Sequence, residues 1–456
     1  MTSARRWLAL AALVTAARLC HSGVLWVEEA YPAAAAVRML HGAVPYRDFF
    51  FDKPPLAPLV YLAWGALPGA ATRLAGAAYV LLCAWLALGL ASKLWSDREG
   101  WLAAGLTAFF LTFYVPAATI PLAPDLLMVA PHLAAMRLLA GRRPLAAGAM
   151  AGAAMAVHTK GLFVLAALLA WSPASIAPLL AGFAGATALP LLPLAAMGAL
   201  NGYWEQVWVW GSAYASDPLY ANPWTAGAGR TANWLGFHAA LAVGAAMAIP
   251  KQKRLIAWIA IALAGALLGG RFFPRYYFLP LVPLIIAASG GLARGRARYA
   301  LLLLLIPLIR FGPRYVQLAA GGASNWSDTA MARDSHEAAL LVAREASPGA
   351  TIFVWGYRPE ILWESRLRVG APFLDSQPLT GVLADRHLTE SRATFPALAE
   401  ANRRRLRDTS PDIVVDGLGP ANPALAIGAY PDLREWLAGY RETGRTPGSI
   451  VYRRIH

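Results

Sequence analysis

The sequence predicts an α-helical polytopic membrane protein, with about eleven transmembrane helices in residues 1–315 and a small α/β soluble domain in residues 316–456. Three observations lead there. Hydrophobic residues make up 58% of the 456-residue chain and charged residues 14%, where an ordinary soluble protein carries about 25% charged residues. Uncharged runs at 162–200, 255–270 and 277–293 approach or exceed the length that crosses a hydrocarbon core about 30 Å thick. The net charge of +15 lies in the apolar part, because arginines and acids balance from Val316 onward. That distribution argues against a nucleic-acid binder. Short basic clusters between apolar runs are what cytoplasmic loops near anionic lipid carry.

The clusters are Arg5/Arg6, Lys93/Arg98, Arg142/Arg143, Lys251/Lys253/Arg254 and Arg294/Arg296/Arg298. Placing all of them in the cytoplasm gives one consistent path. The first stretch resembles a signal peptide, but no small-residue cleavage site follows, so it is taken as an uncleaved helix over 7–25. An outer loop follows at 26–73. Helices at 74–90, 101–115, 122–139 and 145–157 then lead to an outer turn at His158-Thr159-Lys160. Helices at 162–171 and 176–200 precede a second outer loop at 201–230. Helices at 234–249, 255–270, 277–290 and 299–311 complete the set and leave the tail outside. Cys20 and Cys83 both fall in apolar segments, so no disulfide framework or cysteine metal site is expected.

The tail reads as a helix capped by Asp328 and running to Glu345, a turn at Ser347-Pro348-Gly349, and strands at 351–355, 412–415 and 449–453. Strands alternating with helices imply a small α/β fold. It carries no catalytic motif, and packing or acceptor recognition is its expected role.

Acids and bases gather at the outer ends of the predicted helices. The first outer loop holds Glu28-Glu29-Ala30-Tyr31, Arg38, Pro45-Tyr46-Arg47-Asp48 and Phe51-Asp52-Lys53-Pro54-Pro55. Helical spacing over 30–40 predicts a helix on the membrane surface, and the paired prolines stiffen the return. Adjacent carboxylates at a membrane face supply a general base, and a lysine fixed by prolines neutralises a phosphate. Asp125 follows Pro124 where an acid is costly unless used. Arg271 and Arg275 sit on the side where arginines are disfavoured, which suggests a bound anion. Each has a plain alternative: Glu28 and Glu29 as a solvated helix end, Lys53 as a snorkelling side chain, Asp125 as a cap, and the arginines as headgroup anchors. The aromatics of the second loop, from Tyr203 to Trp224, are an interfacial belt or a sugar- or lipid-binding groove. Glu205 and Asp217 are further candidates there.

These residues resemble the GT-C type membrane glycosyltransferases, and within them the family 39 group of protein O-mannosyltransferases and lipid A aminoarabinose transferases. The resemblance spans about residues 5–310, plus a soluble tail of the sort many members carry. It rests on Glu28-Glu29-Ala30-Tyr31, Gly42-x-x-Pro45-Tyr46-x-Asp48, Lys53-Pro54-Pro55, Pro124-Asp125, Lys160, and Arg271-x-x-x-Arg275-Tyr276-Tyr277. The family usually has Asp-Glu where this chain has Glu28-Glu29. The resemblance implies a sugar carried on a polyprenyl phosphate, an acceptor hydroxyl that is protein, lipid or glycan, an active site on the outer face, and inversion at the anomeric carbon. It makes Glu28, with Glu29 beside it, the base, and Asp125 its helper. It turns Lys53, Arg271, Arg275, Tyr46 and Lys160 toward the donor phosphate, and offers Asp52 toward a divalent metal with no histidine placed to complete the site. No cofactor is certain. A donor delivered within the bilayer also suits outer loops, since nucleotide sugars are not expected outside the cytoplasm and no cytoplasmic Asp-x-Asp motif occurs. A transporter of a lipid-linked or anionic solute is the rival reading. It would place ionisable groups near mid-bilayer on broken helices, with inverted repeats, and no convincing repeat is found.

Overall fold

A computed structural model describes residues 2–293, 295–322 and 326–455. Among these, three helices are long and apolar enough to cross a membrane: Ala70–Leu94, Pro274–Leu292 and Gly295–Ala319. A fourth is obtained if Gly161–Trp171 and Pro173–Ala188, bent by 114° at Ser172, count as one broken span. The other predicted spans are present as shorter helices, such as Pro144–Val157, Ala239–Ala248 and Arg254–Leu267, so length and composition do not establish a count of eleven.

The differences from the predicted path have local causes. The first helix, Ser3–Leu19, ends six residues early because Cys20 to Gly23 form turns. The predicted helix at 122–139 is interrupted, with a turn of helix at Pro124–Leu127 and a longer piece at Val129–Ala140. The predicted helix at 176–200 breaks around Pro190 into Ile176–Ala188 and Leu191–Ala196, since proline lacks the amide the ladder needs. The predicted second outer loop is largely helical, including a π-turn over Trp204–Val209 and a helix at Pro223–Phe237. The last span begins earlier and ends later than predicted, through Pro313 to Ala319.

Small residues let the helices pack closely. A methyl group at Gly148 would stand 2.1 Å from Leu179 O, and one at Gly182 would stand 2.0 Å from Leu145 O. The helices Pro144–Val157 and Ile176–Ala188 therefore touch backbone to backbone, as membrane interfaces favour.

The C-terminal region builds a five-stranded sheet from β1 (Thr351–Trp355), β2 (Arg368–Val369), β3 (Ile413–Asp416), β4 (Tyr440–Arg445) and β5 (Ile450–Arg454), in the order β2-β1-β3-β5-β4. β1 pairs in parallel with β2 and β3, while β3–β5 and β5–β4 are antiparallel. The three predicted strands are found within one residue, and β2 and β4 are additional. The helix Ser327–Glu345 starts where expected. Asp328, however, does not cap it through its side chain; its carboxylate accepts from Arg314 Nη1 (2.9 Å) and Trp26 Nε1 (2.9 Å) and so ties the tail to the membrane helices.

The helix predicted to lie on the membrane surface is Val27–Leu40 and is largely buried. Its alanines admit close neighbours, and the helix Pro359–Ser365 packs against it. Tyr31, Ala34 and Ala35 share a core with Ile352, Val354, Val415 and Val451 of the sheet. Further stitches run from Phe50 N–H to Pro372 O (3.0 Å), from Trp363 Nε1 to Ala66 O (2.6 Å) and from Arg38 to Ala371 O. The segment from Val27 to Ala66 is clamped between the apolar helices and the tail.

Candidate active site

Between the outer helix ends and the C-terminal region lies a cavity of about 700 Å³. Its floor includes Glu28, Tyr31, Asp52, Lys53, Asp125, His158, Arg275 and Tyr276; its roof includes Tyr357, Gln377, Asp385, His387 and Leu418. The roof follows from the sheet topology. Tyr357 and Leu418 lie just beyond the carboxyl ends of parallel strands β1 and β3, where open α/β sheets hold ligands.

Three proline-started or capped turns aim the floor. Glu28 stands in the first turn of Val27–Leu40. Asp125 follows Pro124 and Arg275 follows Pro274, each proline opening a helical turn with its dihedral already set. Arg275 lies between the two carboxylates: its Nη1 donates to Glu28 Oε1 (2.6 Å), and its Nε is 3.5 Å from Asp125 Oδ2. His158 Nδ1 accepts the Lys160 N–H (3.1 Å), which leaves Nε2 facing Asp125 Oδ1 at 3.3 Å. No hydrogen bond is made there, and Asp125 Oδ1 has no hydrogen-bond partner among the described residues. The same holds for Lys160 Nζ, which is buried and rests 3.0 Å from the centre of the Tyr276 ring. Such a contact is favourable for an ammonium.

Lys53 reaches the cavity on a loop held from below. Tyr46, at φ +69°, donates its hydroxyl to Lys53 O (2.7 Å). Gln206 braces this loop twice, donating to Tyr46 O (2.8 Å) and accepting from Phe51 N–H (2.8 Å). Gly202 is needed beneath it, since a methyl group there would stand 2.3 Å from Tyr46 O. Tyr46 thus shapes the Lys53 loop from outside the cavity and does not face a donor.

The structure gathers Glu28, Asp52, Lys53, Asp125 and Arg275 around the cavity, with Lys160 behind Tyr276, and leaves Tyr46, Glu29 and Arg271 outside its lining. Glu29 is fully buried and grips Arg73 with both oxygens, one at 2.9 Å from Nη1; it also accepts from Trp26 N–H and Leu122 N–H, each at 3.4 Å. Neighbours on a helix do not face the same way, so the acidic pair divides into one cavity-facing residue and one that locks the loop to the span Ala70–Leu94. Arg271 is buried outside the cavity lining, paired with Asp385, and donates to Tyr214 O (2.9 Å) and Asp217 O (3.0 Å). Asp52 does line the cavity, but its carboxylate is engaged by Lys53 Nζ at 3.0 Å. No group of three or more His, Cys, Asp or Glu side chains gathers into a metal site among the described residues. The donor set at Asp52 therefore does not fit a divalent metal.

The roof was not foreseen. Asp375 and Glu360, both buried in the C-terminal region, are pushed up to about 7 by burial. The Asp52 carboxylate adds to the shift of Asp375, and Glu28 adds to that of Glu360. Asp375 and Glu360 stand behind the lining, whereas Asp334 and Arg358 are part of it; the latter pair at 2.8 Å and are held by Gly448 N–H and Ser335 Oγ. The only sequence signal for these residues was the strands that precede Tyr357 and Leu418.

No family model matches the chain, and no curated protein matches it. Among solved structures, ArnT from Cupriavidus metallidurans bound to undecaprenyl phosphate aligns over 98% of this chain and 97% of its own, at 14% identity and a TM-score of 0.64. The chain has the GT-C fold. Other similar structures are the Archaeoglobus fulgidus oligosaccharyltransferase (13% identity, 99% of this chain and 74% of that one, TM-score 0.48) and the mycobacterial arabinofuranosyltransferase AftD (16%, 99% and 42%, TM-score 0.49). The likeness to ArnT covers the C-terminal sheet as well as the helices, in keeping with the soluble tail that the resemblance implies.

Proposed function

We propose that this protein is an inverting glycosyltransferase that moves a sugar from a polyprenyl-phosphate donor to an acceptor hydroxyl at the outer face of the cytoplasmic membrane. One observation carries the reading: Arg275 holds Glu28 and Asp125 on one wall of a cavity that also receives Lys53. Support for a lipid-phosphate donor comes from the GT-C neighbour crystallised with undecaprenyl phosphate.

In this mechanism the acceptor oxygen attacks the anomeric carbon on the face opposite the phosphate. Glu28 takes the hydroxyl proton, while Asp125, whose Oδ1 is uncommitted, orients that hydroxyl. The bond from the anomeric carbon to the phosphate oxygen breaks, and its electron pair leaves with the polyprenyl phosphate. Lys53 and Lys160 stabilise the charge gathering there, as fixed cations in a dry cleft do strongly. No step passes through a metal. The membrane orientation, with basic loops and N-terminus inside and the tail outside, belongs to the same reading.

The test is transfer in membranes given a labelled polyprenyl-phosphate sugar. Glu28→Gln should lower kcat by at least ~100-fold, the scale of general acid–base catalysis, and Lys53→Ala should lower transfer by about tenfold or more. Both variants should express normally. Unchanged transfer in both, or solute uptake without a covalent product, would refute the assignment.

A further inference from the structure

Arg271 presents a puzzle that the proposed reaction does not resolve. An arginine expected to meet a phosphate is instead paired inside the protein with Asp385, a residue of the C-terminal roof. The pair is incompletely satisfied, since Arg271 Nε and Asp385 Oδ1 are buried without a hydrogen-bond partner among the described residues. Nor is Asp385 needed to hold the guanidinium. Arg271 Nη2 already donates to Tyr214 O and Asp217 O, and its Cζ sits 3.8 Å from the centre of the Tyr214 ring. The roof segment has its own anchor one residue on, where Arg386 pairs with Asp217 at 2.9 Å and donates to Pro218 O at 2.8 Å. Asp385, which also accepts from the Tyr214 hydroxyl at 3.4 Å, is thus a carboxylate that lines the cavity and stands in front of a fixed cation, at a point where each side has a further anchor of its own.

We propose that Asp385 is an internal counter-anion for Arg271, which the departing phosphate displaces, and that the exchange makes the site select for a dianionic lipid phosphate. The inference rests on the reading of the donor given above. A donor phosphodiester carries one negative charge; the phosphate monoester it leaves carries nearly two. A monoanion competes poorly with a carboxylate already in place, whereas a dianion competes well. Arg271 therefore contributes more as the bond to the sugar breaks and charge gathers on the phosphate, and an interaction that is stronger in the transition state than in the ground state lowers the barrier.

Binding measurements on the full-length protein in detergent test this, using undecaprenyl phosphate as the dianion and its methyl ester as the monoanion. Asp385→Asn keeps an acceptor for Arg271 while removing the charge. It should bind both lipids about tenfold more tightly, ~1.4 kcal/mol, with the larger gain for the methyl ester. Arg271→Gln leaves Asp385 uncompensated and should weaken the dianion by about 100-fold. The double variant should recover most of that loss, because the two sites form one coupled pair. If Asp385→Asn binds no more tightly than the wild type, or the double variant is as weak as Arg271→Gln, the pair is a structural latch and the proposal fails. If neither the wild type nor any variant binds either lipid, the lipid-phosphate reading falls, and the proposal with it.

Discussion

The floor and most of the roof of the cavity use charge in opposite ways. On the floor, Arg275 is shared between Glu28 and Asp125, and Asp125 Oδ1 has no hydrogen-bond partner among the described residues. On the roof, Asp385 apart, the charges are spent: Arg358 and Asp334 are bonded to each other and to neighbouring loops, and behind them Asp375 and Glu360 are pushed toward their neutral forms by burial. The lesson is that charge alone does not mark a reactive wall. An ionised group with an uncommitted atom can act on a substrate, and one whose bonds are all spent can only shape the space around it.

That contrast can be broken or sharpened in order of expected effect. Arg275→Gln removes the cation between two carboxylates and should depress transfer by ~100-fold or more, as loss of a preorganised charge does. Steady-state kinetics should put the fall mainly in kcat. Glu29→Gln, one residue from the proposed base, should behave otherwise. It strands buried Arg73 and should destabilise the fold by about 3–5 kcal/mol, while the correctly folded fraction keeps its turnover. Thermal unfolding beside active-site titration separates the two outcomes, and a loss confined to kcat would return Glu29 to the chemistry. The smallest effect should come from the roof. Glu360 has a folded pKa of about 7 against 4.5 for the free side chain. A carboxyl raised on folding contributes stability that is fully present below about pH 4.5 and is lost as pH rises through 7. Glu360→Gln should therefore flatten the fall in melting temperature between pH 5 and 8, with little change in transfer. An unchanged slope would show that Glu360 is ionised throughout.

Much of the scaffold was legible because apolar runs and basic clusters are local signals. The start of the helix Ser327–Glu345 and three strands were read nearly to the residue. What escaped depended on geometry that sequence spacing does not carry. Glu28 and Glu29 look equivalent until the start of their helix sets which one faces the cavity and which faces Arg73. Arg271 and Arg275 both fall between predicted helices and look equivalent, yet a helical turn begins at Pro274 and takes in only Arg275, so the two stand in different surroundings. Asp52, which the resemblance offers toward a metal, pairs with Lys53, the plain reading of two adjacent opposite charges. Gln206 and Asp385 had no motif at all; each acts through a contact made more than a hundred residues away in sequence.

The shared core of the first outer helix and the C-terminal sheet bears on how such a chain matures. Tyr31, three residues beyond Glu28, packs in the same cluster as Val451 of β5. A nascent chain that has made the helices but not β5 leaves that cluster incomplete. The turn that carries Glu28 therefore takes its final packing only once β5 has been made and has docked.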